Sequence, residues 1–483
     1  MMWVGAKEGD MKFHATRRLR SIAAIVALGT TLAACSIKAP DITLTGGGPG
    51  AGGTTGVTTG TTGITSTSGT TSVTSTTGIN STDTSCVGKA TDTGVTGTSI
   101  KLGSTFAQTG PVSSISGPIQ KGVQAYFNKV NAAGGVFGRK IDFVTYDDGW
   151  DAQKGKAFIK KLVEQDHVFI LSVVPSSNGL DAAKSYLESR NMPVIGSSGL
   201  IESQFQSPMQ WPVGTSTRSA TRILLLRNQA GGVTNSAIIY LDLLAGQEAF
   251  EAFESGIKSV LHKSVADYET SKQRVSISGT NWSTVWSNVR TDTSNWQRSH
   301  NQPVTGNPDF VYLAIDPTSA ISALQAAQQA GFKPKVGWGG GQPLYLSVIS
   351  QQGYARQTHL VAGTSYYPPQ LAASVPAVQD YIATVQRYYG SSVDINNPFL
   401  EGGYAGAALT IEAMRRVGSC LTKDKVIKVA NTFSGYSPAG LTRPLTYKAS
   451  SHYGNYSYLW ATVGSNGAWT VDPNWQTDPA PGS

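Results

Sequence analysis

The chain has 483 residues, a length that allows two to four domains. Apolar residues make up 40% of it, enough for a sizeable core, whereas charged residues reach only 14%. The formal net charge is +8, but removal of residues 1–34 would leave 33 basic and 28 acidic residues, a charge of +5. No dense run of Lys or Arg remains in that part, which argues against nucleic acid as a partner.

The first 34 residues have the three parts of a bacterial lipoprotein signal peptide. Met11 is the better start, because four basic residues lie between it and the apolar stretch 22–28. That stretch is too short to span a bilayer stably. The sequence Leu32-Ala-Ala-Cys35 follows and resembles a lipobox, in which the thiol receives a diacylglycerol. We therefore predict cleavage after residue 34 and lipidation of Cys35; an ordinary cleaved signal peptide is the alternative.

Residues 35–85 are predicted to form a disordered tether. No charged residue occurs from Ile42 to Thr82, and Gly, Thr and Ser dominate. Such a segment buries too little apolar surface to offset its ordering entropy. As a flexible coil of about forty residues it would span roughly 35 Å. Its Thr and Ser content permits O-glycosylation.

Two cysteines remain after Cys35, namely Cys86 and Cys420. An even remainder in an oxidising compartment predicts a disulfide. This bond would join the start of the folded domain to a helix end far along the chain.

After Cys86 the apolar pattern alternates between strands and helices. The predicted strands are 100–102, 141–144, 168–174 and 193–196, and the intervening helices have apolar faces at 119–130, 158–163 and 182–187. Pro118 is expected in the first turn of the first helix, and Gly134 and Gly135 are expected to end it.

The alternation restarts after Trp211-Pro212. Strands are predicted at 237–241, 310–315 and 336–338, with helices through 250–261 and 321–327. Two consecutive sets of β-α units predict an α/β protein of two doubly wound parallel-sheet lobes instead of one barrel. Ligands of open parallel sheets bind beyond the carboxyl ends of the strands, so we expect a cleft between the two sheets.

Several stretches between residues 97 and 475 occur in the order typical of one family. They are Ile100–Gly103, Thr109–Pro111, Asn131–Gly138, Tyr146–Asp148, Pro175–Ser177, Met192–Gly199, Pro308–Tyr312, Gly403–Ala407 and Gly440–Thr446. Together they resemble the type I periplasmic binding proteins, in the branch that binds leucine, isoleucine, valine and related solutes for ABC importers. The resemblance implies three crossings between lobes, with lobe 1 at 97–216 plus 365–439 and lobe 2 at 217–364 plus 440–483.

The resemblance also implies which residues contact the ligand. Lobe 1 of such proteins uses hydroxyls and backbone N–H groups after its third and fourth strands, which here means Ser176, Ser177, Ser197, Ser198 and Gly199. These groups at helix starts favour an anion such as a carboxylate. The alternative is that Ser177 and Ser197 only cap the following helices.

The sequence departs from the amino-acid receptors at two positions. Pro175 replaces a usual Ser, and the stretch Gly337–Gln342 lacks the lobe 2 carboxylate that holds an α-ammonium group. A buried ammonium without a counter-charge is costly, so Asp316 or Asp242 is expected to substitute, with Gln342 as a further contact. If neither aspartate faces the cleft, a short amide or an organic or aromatic acid is favoured over an α-amino acid.

Aromatic residues are further candidates for the cleft wall or hinge, although such residues more often belong to the core or rim than contact a ligand. They are Trp150, Trp338, Tyr366 and Tyr367. Asp147 and Asp148 are adjacent and have no other ligands at fixed spacing, so they are interpreted as polar loop groups and not as a metal site.

No enzyme motif has its required spacing. The chain lacks a Gly-x-Ser-x-Gly elbow, paired metal-ligand histidines and a P-loop, so no catalytic residue, metal or cofactor is expected. The sequence predicts an extracytoplasmic, lipid-anchored receptor that closes around a small polar or amphipathic solute and delivers it to the permease of an ABC importer. A sensing module with a separate membrane partner is the alternative, and a secreted hydrolase is a more distant one.

Overall fold

The computed structural model describes residues 83–482. The predicted signal peptide at 1–34, the lipidation site Cys35 and the tether up to residue 82 lie outside the described residues. No helix within residues 83–482 is both long enough and apolar enough to cross a membrane.

The first sheet contains five parallel strands in the order β2-β1-β3-β4-β5. The strands are β1 (Ser99–Phe106), β2 (Lys140–Asp147), β3 (Ile170–Ser172), β4 (Val194–Ile195) and β5 (Gln210–Trp211). The helices between them are α1 (Ser113–Ala132), α2 (Ala152–Glu164), α3 (Ser177–Ser189) and α4 (Glu202–Gln206). All of β3, β4 and β5 is buried, as expected for strands covered on both faces.

The second sheet contains seven strands in the order β12-β11-β10-β9-β8-β6-β7. The strands are β6 (Ser236–Leu241), β7 (Glu269–Val275), β8 (Phe310–Ala314), β9 (Gly337–Gly340), β10 (Leu360–Thr364), β11 (Ser457–Val463) and β12 (Trp469–Thr477). The helices that accompany them are α5 (Thr217–Ala230), α6 (Leu244–Ser259), α7 (Trp282–Ser299), α8 (Pro317–Gln329), α9 (Ser347–Ser350) and α10 (Gly353–Gln357). Only β10–β11 and β11–β12 pair antiparallel.

Three further helices return to the first sheet: α11 (Pro376–Tyr389), α12 (Pro398–Val417) and α13 (Lys423–Ala430). Ser172 of β3 and Thr410 of α12 have their hydroxyl oxygens 2.7 Å apart. The Trp211 indole N–H donates to Asn431 just beyond α13 at 3.1 Å. The chain thus passes between the sheets three times, and we keep the names lobe 1 and lobe 2 for the ranges given above. The predicted α/β class with two doubly wound lobes is confirmed.

Two boundaries differ from the sequence expectation. Helix α1 begins at Ser113, so Pro118 lies inside it and not in its first turn. Ser116, in this extra turn, accepts a hydrogen bond from the backbone N–H of Ala107 at 2.8 Å, which ties the turn to the end of β1. The apolar run 168–174 is a strand only at 170–172, because Val173 leaves the strand conformation with a φ of +52°.

The predicted disulfide between Cys86 and Cys420 is confirmed, with 4.9 Å between the two Cα atoms. Cys420 lies three residues after α12, so the bond joins the start of the described chain to a helix end, as expected. Buried Arg139 supports the same junction, because its guanidinium donates to the carbonyl of Cys86 at 2.6 Å and to that of Lys89 at 2.9 Å.

Candidate ligand-binding cleft

A cavity of about 140 Å³ lies where the carboxyl ends of the strands of the two sheets meet. Trp150 follows β2, Leu241 ends β6, Asp316 follows β8 and Gly341 follows β9. Lobe 1 lines it with Val112, Ile115, Trp150, Ser177, Leu200, Thr215 and Phe399. Lobe 2 lines it with Thr217, Ala220, Leu241, Leu243, Ala245, Gly246, Ala249, Tyr312–Asp316, Gly341–Pro343 and Tyr458. This is the position at which open α/β sheets bind ligands.

The lining is mainly aliphatic and aromatic. No Lys, Arg or His contributes to it, and Asp316 is its single carboxylate. Burying an unpaired charge is expensive, so such walls favour a ligand with an apolar body and few polar groups. Most of these apolar residues were not predicted from the sequence, although several lie at or just beyond strand ends, where a binding position was expected.

The start of α3 forms part of the lobe 1 wall. Ser176 is the N-cap, and its hydroxyl accepts from the backbone N–H of Gly179 at 3.4 Å. Ser177 is the first helical residue and lines the cavity, so capping falls to Ser176 and not to Ser177. Val173 precedes this loop with its positive φ, a rare conformation for a β-branched side chain.

Trp150 lines the same wall with a φ of +66°, which non-glycine residues rarely adopt. Asp148 holds it there, because one carboxylate oxygen accepts from the Trp150 N–H at 2.8 Å and the other from the Thr105 hydroxyl at 2.6 Å. Asn178 of α3 donates to the Trp150 carbonyl at 3.4 Å.

Asp148 lies in the loop directly after β2, in agreement with the interpretation of both aspartates as polar loop groups, but its side chain is fully buried. Burial raises the pKa of Asp148. The hydrogen bonds from Thr105 and Trp150 lower this pKa but offset only part of the effect of burial. Asp147 instead ties the neighbouring loop, accepting from the Thr109 hydroxyl at 2.7 Å and the Gln108 N–H at 2.9 Å. Asp148 is thus a positioning residue that sequence reasoning missed.

The loop after β4 reaches the cavity, but not with the residues that were predicted to bind the ligand. Ser197, Ser198 and Gly199 are absent from its lining, whereas the next residue, Leu200, is part of it. The Ser197 hydroxyl is buried with no hydrogen-bond partner among the described residues, and α4 begins only at Glu202, so Ser197 caps no helix. The Ser197 carbonyl accepts from the Val213 N–H at 2.9 Å, so this loop packs against the first crossing between the lobes.

Lobe 2 presents two buried polar groups to the cavity. Asp316 caps α8, with one carboxylate oxygen accepting from the N–H groups of Thr318 at 2.9 Å and Ser319 at 3.1 Å. Its other oxygen is buried without a partner among the described residues, and so is the amide nitrogen of Gln342. Of the two predicted aspartates, only Asp316 lines the cavity. Asp242 is exposed and pairs with Arg274 on β7.

The remaining aromatic candidates lie outside the cavity lining. Tyr366 is buried at the second crossing, where its hydroxyl interacts with the Gln342 side chain; burial raises its pKa far above the usual value. Trp338 is a core residue whose indole N–H donates to the Thr358 hydroxyl at 2.6 Å. The Tyr367 ring packs edge-on against Trp475, with 5.1 Å between the ring centres.

A second contact between the lobes lies beside the cavity. Both carboxylate oxygens of Glu248 on α6 accept from the backbone N–H of Glu202 on α4, at 3.0 and 3.1 Å. The Glu202 carboxylate in turn accepts from the Tyr453 hydroxyl. Burial, together with the nearby Glu202 charge, raises the pKa of Glu248 to about 7.

Within residues 83–482 no group of three or more His, Cys, Asp or Glu side chains is arranged to hold a metal ion.

Two sheets with a small cavity between the carboxyl ends of their strands define a two-lobed solute-binding protein. Residues 99–468 match the family described as periplasmic binding protein, and the chain belongs to this family. The expected resemblance is therefore confirmed.

Individual relatives agree with this assignment. A Leu/Ile/Val-binding protein homolog of Brucella suis is 25% identical over 324 residues, which cover 64% of this chain and 74% of that protein. The fold is similar to a fatty acid ABC transporter substrate-binding protein from Thermomonospora curvata, with a TM-score of 0.66, 18% identity and coverage of 81% and 95%. It is also similar to a branched-chain amino acid transporter substrate binding protein of Streptococcus pneumoniae in complex with isoleucine, with a TM-score of 0.60, 15% identity and coverage of 78% and 99%.

Membership of this family implies an extracytoplasmic location and a solute-binding role. The similar proteins named above carry the names of binding or substrate-binding proteins.

Proposed function

We propose that this protein is the receptor of an ABC importer and captures an amphipathic solute with an aliphatic body. The observation that carries the proposal is the cavity between the lobes, whose walls are apolar except for a few groups such as Ser177, Asp316 and Gln342. The names of the similar proteins support it, because they refer to Leu/Ile/Val, isoleucine and fatty acid.

Capture proceeds by hinge closure at the three crossings. The solute docks on lobe 1 against the α3 start and Trp150, and lobe 2 then covers it with β8, β9 and α6. The loop at 197–199 lies on the lobe 1 side of this hinge region, because the Ser197 carbonyl accepts from the Val213 N–H at the first crossing. The closed form presents both lobes to the permease.

The proposal includes attachment to the membrane. Cleavage after residue 34 leaves Cys35 as a lipidated N-terminus, and the segment up to residue 85 acts as the tether. A receptor held within reach of its permease suits transport, because tethering raises the local concentration of one partner near the other.

A thermal-shift screen of the full chain in detergent tests the proposal. Ligand carried over from expression is first removed by partial unfolding, and the protein is then screened against amino acids, aliphatic amides and acids, sugars and polyamines. A ligand at one hundred times its Kd adds about 2.7 kcal/mol, a shift of a few degrees. Binding of an aliphatic compound supports the proposal, and failure of every class to bind contradicts it.

A pair of substitutions on α6, one in the cavity wall and one outside it, tests whether the ligand binds in this cavity. Ala245 of α6 lines the cavity, whereas Gln247 on the same helix is exposed and does not. We expect Ala245→Trp to fill the cavity and weaken binding of the identified aliphatic ligand at least a hundredfold, because the indole occupies the ligand volume. Gln247→Trp should bind normally, and calorimetry on both variants checks this. Equal affinities would place the ligand elsewhere.

A further inference from the structure

The polar groups at the lobe 2 end of the cavity restrict the head group that the ligand can carry. Asp316 follows β8 and Gln342 follows the neighbouring strand β9, so the two side chains belong to adjacent strand ends of one sheet. Asp316 is 2% and Gln342 8% exposed. Asp316 offers a free acceptor oxygen, and Gln342 offers a free donor nitrogen.

Both groups are held in place by other contacts. The second Asp316 oxygen caps α8, which orients the carboxylate. The Gln342 amide carries two N–H donors, of which one is directed to the Tyr366 hydroxyl and the other is left for a ligand, while the Tyr458 hydroxyl interacts with the Gln342 backbone. Buried polar groups are almost always hydrogen-bonded, so this donor and this acceptor point to a ligand that satisfies both.

Charged head groups satisfy this pair poorly. A carboxylate only accepts hydrogen bonds, so it would repel Asp316, and no Lys, Arg or His lines the cavity to compensate. An ammonium group only donates, so it would pair with Asp316 and leave the Gln342 nitrogen without an acceptor.

A neutral group with one donor and one acceptor satisfies both residues. Resting on the proposed function, we propose that this receptor selects aliphatic primary carboxamides over the corresponding fatty acids. The carboxamide N–H donates to Asp316, its carbonyl accepts from Gln342, and its saturated chain lies against the apolar wall. A carboxamide carries donor and acceptor on separate atoms, which suits partners that come from two strands.

Calorimetry with compounds that share one carbon skeleton tests this selection. The full chain is titrated with isocaproamide, isocaproate and isohexanol. We expect isocaproamide to bind at least tenfold more tightly than isocaproate, and more tightly than the alcohol. A wild-type preference for the carboxylate or the alcohol overturns the inference and leaves the receptor function standing.

Asp316→Asn provides a switch of specificity. The asparagine oxygen can still cap α8, while its NH₂ group replaces the free acceptor with a donor. We expect isocaproamide to bind at least tenfold more weakly to this variant and isocaproate to bind more tightly. Asp242→Asn is the control, because Asp242 is exposed and outside the cavity.

The outcomes separate the two proposals. Unchanged isocaproamide affinity in Asp316→Asn overturns the assignment of Asp316 to the head group. Binding only of compounds outside the series, such as sugars, overturns the carboxamide inference, whereas failure of every class in the wider screen overturns the receptor function itself.

Discussion

Trp150, which lines the lobe 1 wall, and Val173 adopt backbone conformations that residues other than glycine rarely adopt. Val173 directly follows β3, and Trp150 lies three residues beyond the end of β2. Such conformations persist only when neighbouring contacts enforce them, and they concentrate at ligand sites. At Trp150 the enforcing contact is the buried carboxylate of Asp148.

We expect Asp148→Ala to lower both stability and ligand affinity. The variant leaves the Thr105 hydroxyl and the Trp150 N–H without their shared acceptor, which costs about 2–4 kcal/mol of unfolding free energy. Asp148→Asn keeps an acceptor for the Trp150 N–H and should lose less. Chemical denaturation and calorimetry measure the two effects, with Asp142→Ala, an exposed site on β2, as the control. Wild-type affinity and stability in Asp148→Ala would exclude this positioning role.

At the scale of elements, α12 completes lobe 1 by crossing α1 at unusually close range. A Cβ atom on Gly122 of α1 would lie 1.9 Å from the Leu400 carbonyl oxygen, and one on Gly403 of α12 would lie 2.1 Å from that of Ile119. The two glycines therefore let the backbones touch. The Tyr126 and Tyr404 rings pack edge-on beside this crossing, with 4.8 Å between their centres.

Gly122→Ala should destabilise the protein in spite of the higher helix propensity of alanine. The gain of about 1 kcal/mol from propensity is smaller than the cost of separating two packed helices, which we expect to exceed about 2 kcal/mol net. Gly353→Ala is the matched control, because this exposed glycine starts α10 and has no atom near its added Cβ. Thermal unfolding compares the two variants. A Gly122→Ala protein as stable as the control would show that the helices can separate without cost.

At the scale of the whole molecule, the two lobes meet through both the cavity and the contact between Glu248 and the Glu202 N–H. Arg218, Glu202 and Glu251 are the charged groups that act on Glu248. Burial is the largest cause of its raised pKa of about 7, and opening the lobes would expose the carboxyl again. We therefore expect the proposed closure to be coupled to the uptake of a proton.

The sign of the pH dependence follows from this raised pKa. The folded, closed state holds the Glu248 proton up to about pH 7, whereas an exposed glutamate releases it near pH 4.5. Stability and ligand affinity should therefore fall as the pH rises between these values and level off above pH 7, by at most about 3 kcal/mol.

Glu248→Gln should remove this part of the pH dependence, because the amide still accepts from Glu202 and does not titrate. Unfolding free energy and Kd measured at pH 5 and pH 8 give the comparison. Glu254→Gln on the same helix, where Glu254 pairs with Lys272, is the control and should behave as wild type. The same pH profile in wild type and Glu248→Gln would disprove the coupling.

The class of fold and the disulfide were predictable from the amino-acid sequence. Apolar periodicity reports which face of each segment is buried, so the β-α alternation was enough to predict two sheets and a cleft at their carboxyl ends. The count of cysteines was enough to predict the bond between Cys86 and Cys420. Both properties follow from local pattern or composition.

Which residues of each loop line the cavity became clear from the packing of the two lobes. Ser177 and Trp150 do so, whereas Ser197, Ser198 and Gly199 turn to the crossing between the lobes. Asp316 and Asp242 both follow strands of lobe 2, yet only Asp316 lines the cavity. The direction of a side chain beyond a strand end depends on the next helix and on the opposite lobe, and periodicity within one segment carries no information about either.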